Sequence, residues 1–248
     1  MNLRQLIFTQ NACYKAGRTI IPRGIMVHST GANNPTLKRY VGPDDGLLGK
    51  NQYNNHWNQP MDRLVCVHGF IGKLADGSIA TYQTLPWNWR GWHCASGAKG
   101  SGNDTHISFE ICEDDLTNPA YFTAVYKEAA ELCAYLCKAF GLDPAKDGVI
   151  ICHSEGHKRG IASNHGDVMH WFPKHGKNMD TFRADVQRLL ASDGSPEATK
   201  PSKLPEAPIE PKKLYRVQVG SYSVKANAEA MLAKVKAAGF ADAFIKTN

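Results

Sequence analysis

No stretch of this sequence is apolar for long enough to cross a bilayer, which excludes a helical membrane span and a membrane partner. The first ten residues carry one Arg and only the short cluster Leu6-Ile7-Phe8, so they lack the parts of a secretory signal. The expectation is a chain made in the cytoplasm that acts elsewhere only after release. The seven cysteines are odd in number and include no CxxC pair, so a disulfide framework is not expected. They read as reduced, mostly buried thiols. The net charge is +6, yet Lys and Arg are scattered rather than gathered with aromatics in one patch. That argues against nucleic acid and leaves either an anionic partner or a plain basic surface. What is present suffices for a packed domain: 248 residues, 42% of them hydrophobic, allow one domain of ordinary size plus an appendage.

Four of the ten histidines, His153, His157, His165 and His170, fall within residues 149–171. The apolar run Val149 to Cys152 reads as a buried strand ending at His153. Gly156, Gly160, Ser163, Asn164 and Gly166 then mark a long irregular loop. A second apolar run, Gly24 to Val27, ends at His28 before the turn residues Ser29, Thr30 and Gly31. Two strand-end histidines and a loop carboxylate, His28, His153 and Asp167, make a three-ligand zinc set that leaves a fourth position for water. Imidazole chemistry alone makes His165 a competitor of Asp167 for the third place. His153 and His157 have the spacing of a helical zinc-protease pair, but the Glu does not directly follow the first His and Gly156 interrupts, so that reading is set aside.

Along the rest of the chain, residues 2–16 read as a short helix and a turn, and residues 64–71 as a strand turning at Asp76-Gly77 into residues 78–83. Residues 42–61 lack periodicity and form a long loop, in which His56 and Trp57 either line a groove or belong to a tethered turn. Trp87, Trp89 and Trp92 crowd six residues and suggest a sugar or peptide platform, or a packed lid. Residues 106–112 alternate, with His106, Ser108 and Glu110 on one face and Ile107, Phe109 and Ile111 on the other. A Glu inside such a strand is costly to bury without a partner. Asn118-Pro119 opens a long helix whose apolar face includes Phe122, Val125, Ala129, Leu132 and Leu136, with Gly141 just past its end. Residues 181–190 read as a closing helix.

The run Gly24 to Gly31 resembles the first zinc-ligand motif of the type 2 N-acetylmuramoyl-L-alanine amidases, the phage-lysozyme and autolysin class of zinc hydrolases. Val67-His68-Gly69-Phe70-Ile71 with Asp76-Gly77, Gly91-Trp92-His93 and residues 103–110 resemble that family's middle motifs in order, over roughly residues 20–190. The resemblance implies peptidoglycan as substrate, Zn2+ as cofactor, and cleavage of the amide between N-acetylmuramic acid and L-Ala. It implies His28, His153 and Asp167 as ligands and Glu110 as the catalytic carboxylate, with Ser108 and Phe109 standing where the family has Gly and Ile. It places Trp92 and His93 toward substrate, with Trp89 and His56 as further candidate contacts. Where the family often has a Lys as oxyanion donor, this chain has His165. A non-catalytic wall-recognition protein of the same fold and a zinc peptidase acting within the stem peptide are the rivals.

Residues 192–213 hold five prolines among Lys and Glu and read as a semi-rigid linker. Residues 214–220 read as a strand, 226–238 as a helix and 243–245 as a second strand, and Tyr215-Arg216-Val217-Gln218-Val219-Gly220-Ser221-Tyr222, Asn227-Ala228 and Ala238-Gly239-Phe240 resemble one repeat of the sporulation-related wall-binding domains. One repeat is too small to bury a good core alone, so self-association through it is an open expectation. The sequence therefore predicts a mixed α/β catalytic domain over 1–191, a linker over 192–213 and a wall-binding repeat over 214–248. The main sheet is expected to have five or six strands with helices on both faces and a zinc groove at the strand ends.

Overall fold

The computed structural model describes residues 1–60, 65–192 and 224–237, together with Ile245. Two compact units divide at Ala207 and Pro208. The first is built on a sheet of six strands: β1 (Leu3–Gln5), β2 (Gly24–Asn33), β3 (Gly69–Lys73), β4 (Ile79–Gln83), β5 (His106–Glu113) and β6 (Ile150–Cys152), in the order β1-β4-β3-β5-β2-β6. The β3–β4 pair is antiparallel and the other pairs are parallel, so the sheet is mixed.

Alternation along β2 and β5 sends successive side chains to opposite faces. Ile25, Val27, Ile107, Phe109 and Ile111 enter the larger core cluster, beneath α2 (Pro119–Phe140) and α4 (Met179–Ser192). Asn118 caps α2 by accepting from the Tyr121 N–H at 3.1 Å, a contact worth about 1 kcal/mol. Gly141 ends the helix in the left-handed conformation at φ 63°, which costs a glycine little. Tyr126 donates to Asp185 Oδ2 at 2.7 Å and packs edge-on against Phe182, joining α2 to α4.

The other face carries Met26 and His28 of β2 and Ser108 and Glu110 of β5. It is covered by loops, by α1 (Ala12–Ala16) and by a second cluster around Phe8, Leu37, Tyr40, Phe70 and Tyr82. The loop over 42–60 is tethered there: Tyr82 donates to Asp45 Oδ2 at 2.6 Å and Asn51 donates to the Lys38 carbonyl at 2.8 Å. All seven cysteines are free and buried. Among the described residues no helix is long and apolar enough to cross a membrane.

Three expectations need correction. Residues 3–5 form β1 rather than the start of a helix, because Leu3 to Gln5 pair in parallel with Thr81 to Gln83, a partner invisible in the local sequence. The strand expected over 64–71 starts at Gly69 and runs to Lys73. Cys66 instead bridges Trp92, and residues 61–64 lie outside the described residues. The segment after His153 is not irregular from its start but forms α3 (His153–Lys158). Its Glu155 accepts from the Cys152 N–H at 3.1 Å and is held by Arg183 at 3.1 Å, which closes the first turn. Gly156 permits the helix to approach β2, since a Cβ there would sit 2.9 Å from Met26 Cε and 3.2 Å from Ala162 Cβ.

In the second unit, α5 (Lys225–Ala237) matches the helix expected over 226–238 to within a residue at each end. The linker over 193–213 and the strands expected at 214–220 and 243–244 lie outside the described residues.

Candidate metal centre and catalytic groove

His28 sits on β2 and Glu110 is its register partner on β5, so the two side chains leave the same face of the sheet side by side. β6 runs along the other edge of β2, with Val27 opposite Cys152, and its next residue is His153 at the start of α3. Parallel register therefore sets His28 beside Glu110 in the body of β2 and β5, and His153 beside them just past the end of β6; the expectation of His28 at a strand end is corrected, since β2 runs on to Asn33. Asp167 arrives from the loop beyond α3.

The three expected ligands converge. His28 Nδ1 lies 3.0 Å from Asp167 Oδ2 and 3.1 Å from His153 Nδ1, and His153 Nδ1 lies 3.7 Å from Asp167 Oδ2. Four ligands set tetrahedrally at about 2.0–2.1 Å from zinc stand about 3.3–3.4 Å apart. The observed spacings bracket that edge, so one nitrogen from each His and one carboxylate oxygen fit a zinc ion. His28, His153 and Asp167 are the one group of three or more such donors found among the described residues.

The electrostatics suit an anionic Asp167 beside a neutral His28. Burial pushes the Asp167 carboxyl up, but the imidazoles of His153 and His28 beside it outweigh burial and hold the group well below the usual carboxylate range. Burial lowers His28 against the opposing pull of Asp167, which favours the neutral ring a metal requires. Glu110 is pushed well above the usual range, by burial first and then by the charges of Asp167 and Glu113. Its Oε2 is buried and has no hydrogen-bond partner.

A further layer surrounds the donors. His28 Nε2 is 2.9 Å from His93 Nδ1. With Nδ1 of His28 kept bare for a metal, its proton sits on Nε2 and is donated to His93. The proton of His93 then sits on Nε2, which is buried without a partner. His165 is exposed and lies outside the three-donor group, its ring 4.6 Å from that of His153. Ser163 Oγ stands between them, 3.2 Å from His153 Nε2 and 3.1 Å from His165 Nδ1. The sequence reading took Ser163 only as a loop residue and did not foresee the contact that His93 makes with His28. A serine two residues from His165 carries no signal of its own in one dimension.

The remaining candidates make packing contacts. Trp87 is buried in the main core. Trp89 stacks on Tyr14 at 4.7 Å, and Trp92 is half-buried beneath the Arg90 guanidinium at 5.1 Å. His56 is buried against Gly42. His157, the second member of the protease-like pair, faces the Ala162 carbonyl at 3.2 Å and is not among the three donors. His68 is a core histidine: Nδ1 accepts from the Ser108 N–H at 3.0 Å and Nε2 meets the Trp89 carbonyl at 2.6 Å.

Comparison with known proteins bears on the fold and the family. The hydrolase AmiA of Staphylococcus aureus, solved with its ligand, is similar at 21% identity and a TM-score of 0.54, covering 77% of this chain and 83% of that one. A mutant endolysin from Bacillus subtilis is similar at 22% identity and a TM-score of 0.52, covering 75% and 99%. The PlyG catalytic domain gives 19% identity and a TM-score of 0.51, covering 79% and 100%. At these identities the likeness shows the fold. No curated protein sequence matches the chain significantly. Residues 17–170 match the family described as N-acetylmuramoyl-L-alanine amidase, and residues 211–248 match the SPOR domain. Both point to peptidoglycan, the first as substrate and the second as binding target. The chain belongs to the N-acetylmuramoyl-L-alanine amidase family and carries a SPOR domain at its C-terminal end.

Proposed function

We propose that this amidase hydrolyses the amide joining the lactyl group of N-acetylmuramic acid to L-Ala, with zinc held by His28 Nδ1, His153 Nδ1 and Asp167 Oδ2. The observation that carries the reading is the convergence of these three donors beside an unpartnered Glu110 carboxylate on one face of the sheet. Zinc bound there supplies a Lewis acid for the carbonyl and lowers the pKa of a coordinated water toward neutrality.

The other roles belong to the chain's own side chains. Glu110 takes a proton from the attacking water at Oε2 and returns it to the L-Ala nitrogen as the C–N bond breaks. Burial that raises the carboxyl suits it to both halves of that transfer. His165 donates to the carbonyl oxygen as it gains negative charge. The partnerless His93 Nε2–H is a donor that a substrate carbonyl would satisfy, and Trp92 beside it offers an aromatic surface to sugar or peptide. Trp89 and His56, held in packing contacts, are assigned no direct part. The SPOR unit keeps the enzyme on the wall by raising its local concentration there.

The test is to identify the new termini in digested peptidoglycan. A free L-Ala amine with an intact lactyl carboxylate supports the amidase reaction. New termini within the stem peptide would make the protein a peptidase, and no new termini with wall binding intact would make it a recognition protein.

A further inference from the structure

One hydroxyl at the edge of this centre touches two imidazoles. We propose that Ser163 is a positioning residue that sets the tautomer of the ligand His153 and the direction of the proton on His165. The consequence for turnover rests on the amidase reading above, whereas the state of the two rings rests only on a metal held by the three donors.

His153 turns Nδ1 toward His28 Nδ1 at 3.1 Å and toward Asp167 Oδ2 at 3.7 Å. A neutral imidazole carries one ring proton, and a nitrogen that ligates must be bare. The proton of His153 therefore belongs on Nε2, which meets Ser163 Oγ at 3.2 Å. A hydroxyl accepts on its lone pairs and has one proton to give. Having accepted from His153, Ser163 directs its own proton to His165 Nδ1 at 3.1 Å. That makes His165 Nδ1 an acceptor and leaves its ring proton on Nε2, where it can be donated outward. The opposite polarity, with His165 donating to Ser163 and Ser163 to His153, puts a proton on His153 Nδ1 inside the donor group and excludes a metal.

The serine is itself anchored. Its backbone N–H donates to the Cys94 carbonyl at 2.9 Å, which fixes the base of the side chain. The His165 ring leans on His153 at 4.6 Å in a tilted contact with an interplanar angle of 50°, so this contact places the ring and the hydroxyl decides which nitrogen is protonated. An exposed imidazole without such a partner exchanges between tautomers and presents its donor only part of the time. Ser163 thus turns an exposed histidine into a donor of fixed direction, with the same proton chain that prepares a ligand.

The experiment uses the full-length protein with Ser163→Ala and Ser163→Thr. Three quantities are read: zinc affinity by chelator competition, ring tautomers by long-range proton–nitrogen NMR of the zinc-loaded protein, and kcat and KM on a soluble muropeptide. The alanine variant should bind zinc about 10- to 100-fold more weakly, the usual cost of losing the partner of a ligating histidine. Its His165 should show mixed tautomers, and kcat at saturating zinc should fall with KM unchanged. Threonine, which keeps the hydroxyl, should restore all three. In a His165→Ala background, Ser163→Ala should still weaken zinc binding but lower kcat no further. Wild-type zinc affinity and an unchanged His165 tautomer in the alanine variant would overturn the proposal, as would failure of threonine to restore them. If the alanine variant does not fold, Ser163→Gly removes the same hydroxyl and is read in the same way. Should the wild-type protein cleave no amide, the functional reading falls, while the NMR comparison still decides the role of Ser163.

Discussion

Glu110 and His28 are register partners on adjacent parallel strands, and their side chains leave the same face of the sheet. One is a metal donor in geometry, and the other is a buried carboxylate whose Oε2 has no partner. An unpaired polar atom inside a fold costs stability, an observation that supports the catalytic part proposed for Glu110.

That pairing makes Glu110→Gln informative. The variant should fold and bind zinc as the wild type does, because Glu110 is not among the three donors. Its rate should fall at least ~10²-fold, the usual scale for a general base. Turnover of a soluble muropeptide, measured beside metal content, checks this, and a near-normal rate would return Glu110 to a structural role.

Zinc itself should be present at about one ion per chain in purified protein. A chelator should abolish hydrolysis, and zinc should restore it. Asp167→Ala should lose metal and activity together, since its Oδ2 is the anionic member of the donor set. Full activity in metal-free protein, shown by elemental analysis, would refute this mechanism.

His165→Ala should keep its zinc. The ring lies outside the three-donor group and is exposed. Loss of one donor to the developing oxyanion typically slows turnover ~10²–10³-fold. Metal analysis of this variant beside Asp167→Ala decides which of the two side chains ligates, and zinc lost only from the His165 variant would invert the assignment.

Acid should weaken the fold through His68. Burial pushes this imidazole down to about 4, against hydrogen bonds to Trp89 and Ser108 that pull the other way. An unfolded chain binds the proton near 6.5. The stability that the neutral ring confers is therefore complete above about pH 6.5 and is lost as the pH falls toward 4, by up to about 3 kcal/mol. Urea unfolding at pH 7 and pH 5 should show a steeper loss for the wild type than for His68→Gln. Equal slopes would exclude His68 as the source.

A chain ending at Ser192 should keep the first unit folded and cleave small soluble muropeptides at the wild-type rate. It should bind intact walls less well, because a tethered second module raises effective concentration. Co-sedimentation with purified walls measures this, and equal binding by both lengths would deny the SPOR unit a targeting role.

Much of the site was legible in one dimension because its main members sit at the ends of apolar runs. Gly24 to Val27 and Val149 to Cys152 announce buried strands, and the polar residue ending each run is a site member, although only His153 lies at a strand end while β2 continues past His28 to Asn33. Strict alternation then put Glu110 opposite the core face of β5, as observed. The pattern along α2 and its terminal residues likewise settled that helix, since caps and period act within a few residues of chain.

What the sequence left open depended on partners distant along the chain. Three residues, Leu3 to Gln5, became a strand because β4 offered them an edge. Residues 153–158 became a helix because Arg183, from α4, holds the Glu155 that closes its first turn. The choice between Asp167 and His165 for the donor set, the contact of His93 with His28, and the bridge at Ser163 rest on distances of a few ångströms between segments up to 139 residues apart. The sequence by itself determined which residues close apolar runs and which face each strand buries, because those follow from local period. Only the tertiary structure decided which nitrogen faces which oxygen, because hydrogen-bond geometry is fixed by the packing of whole elements and not by the order of residues.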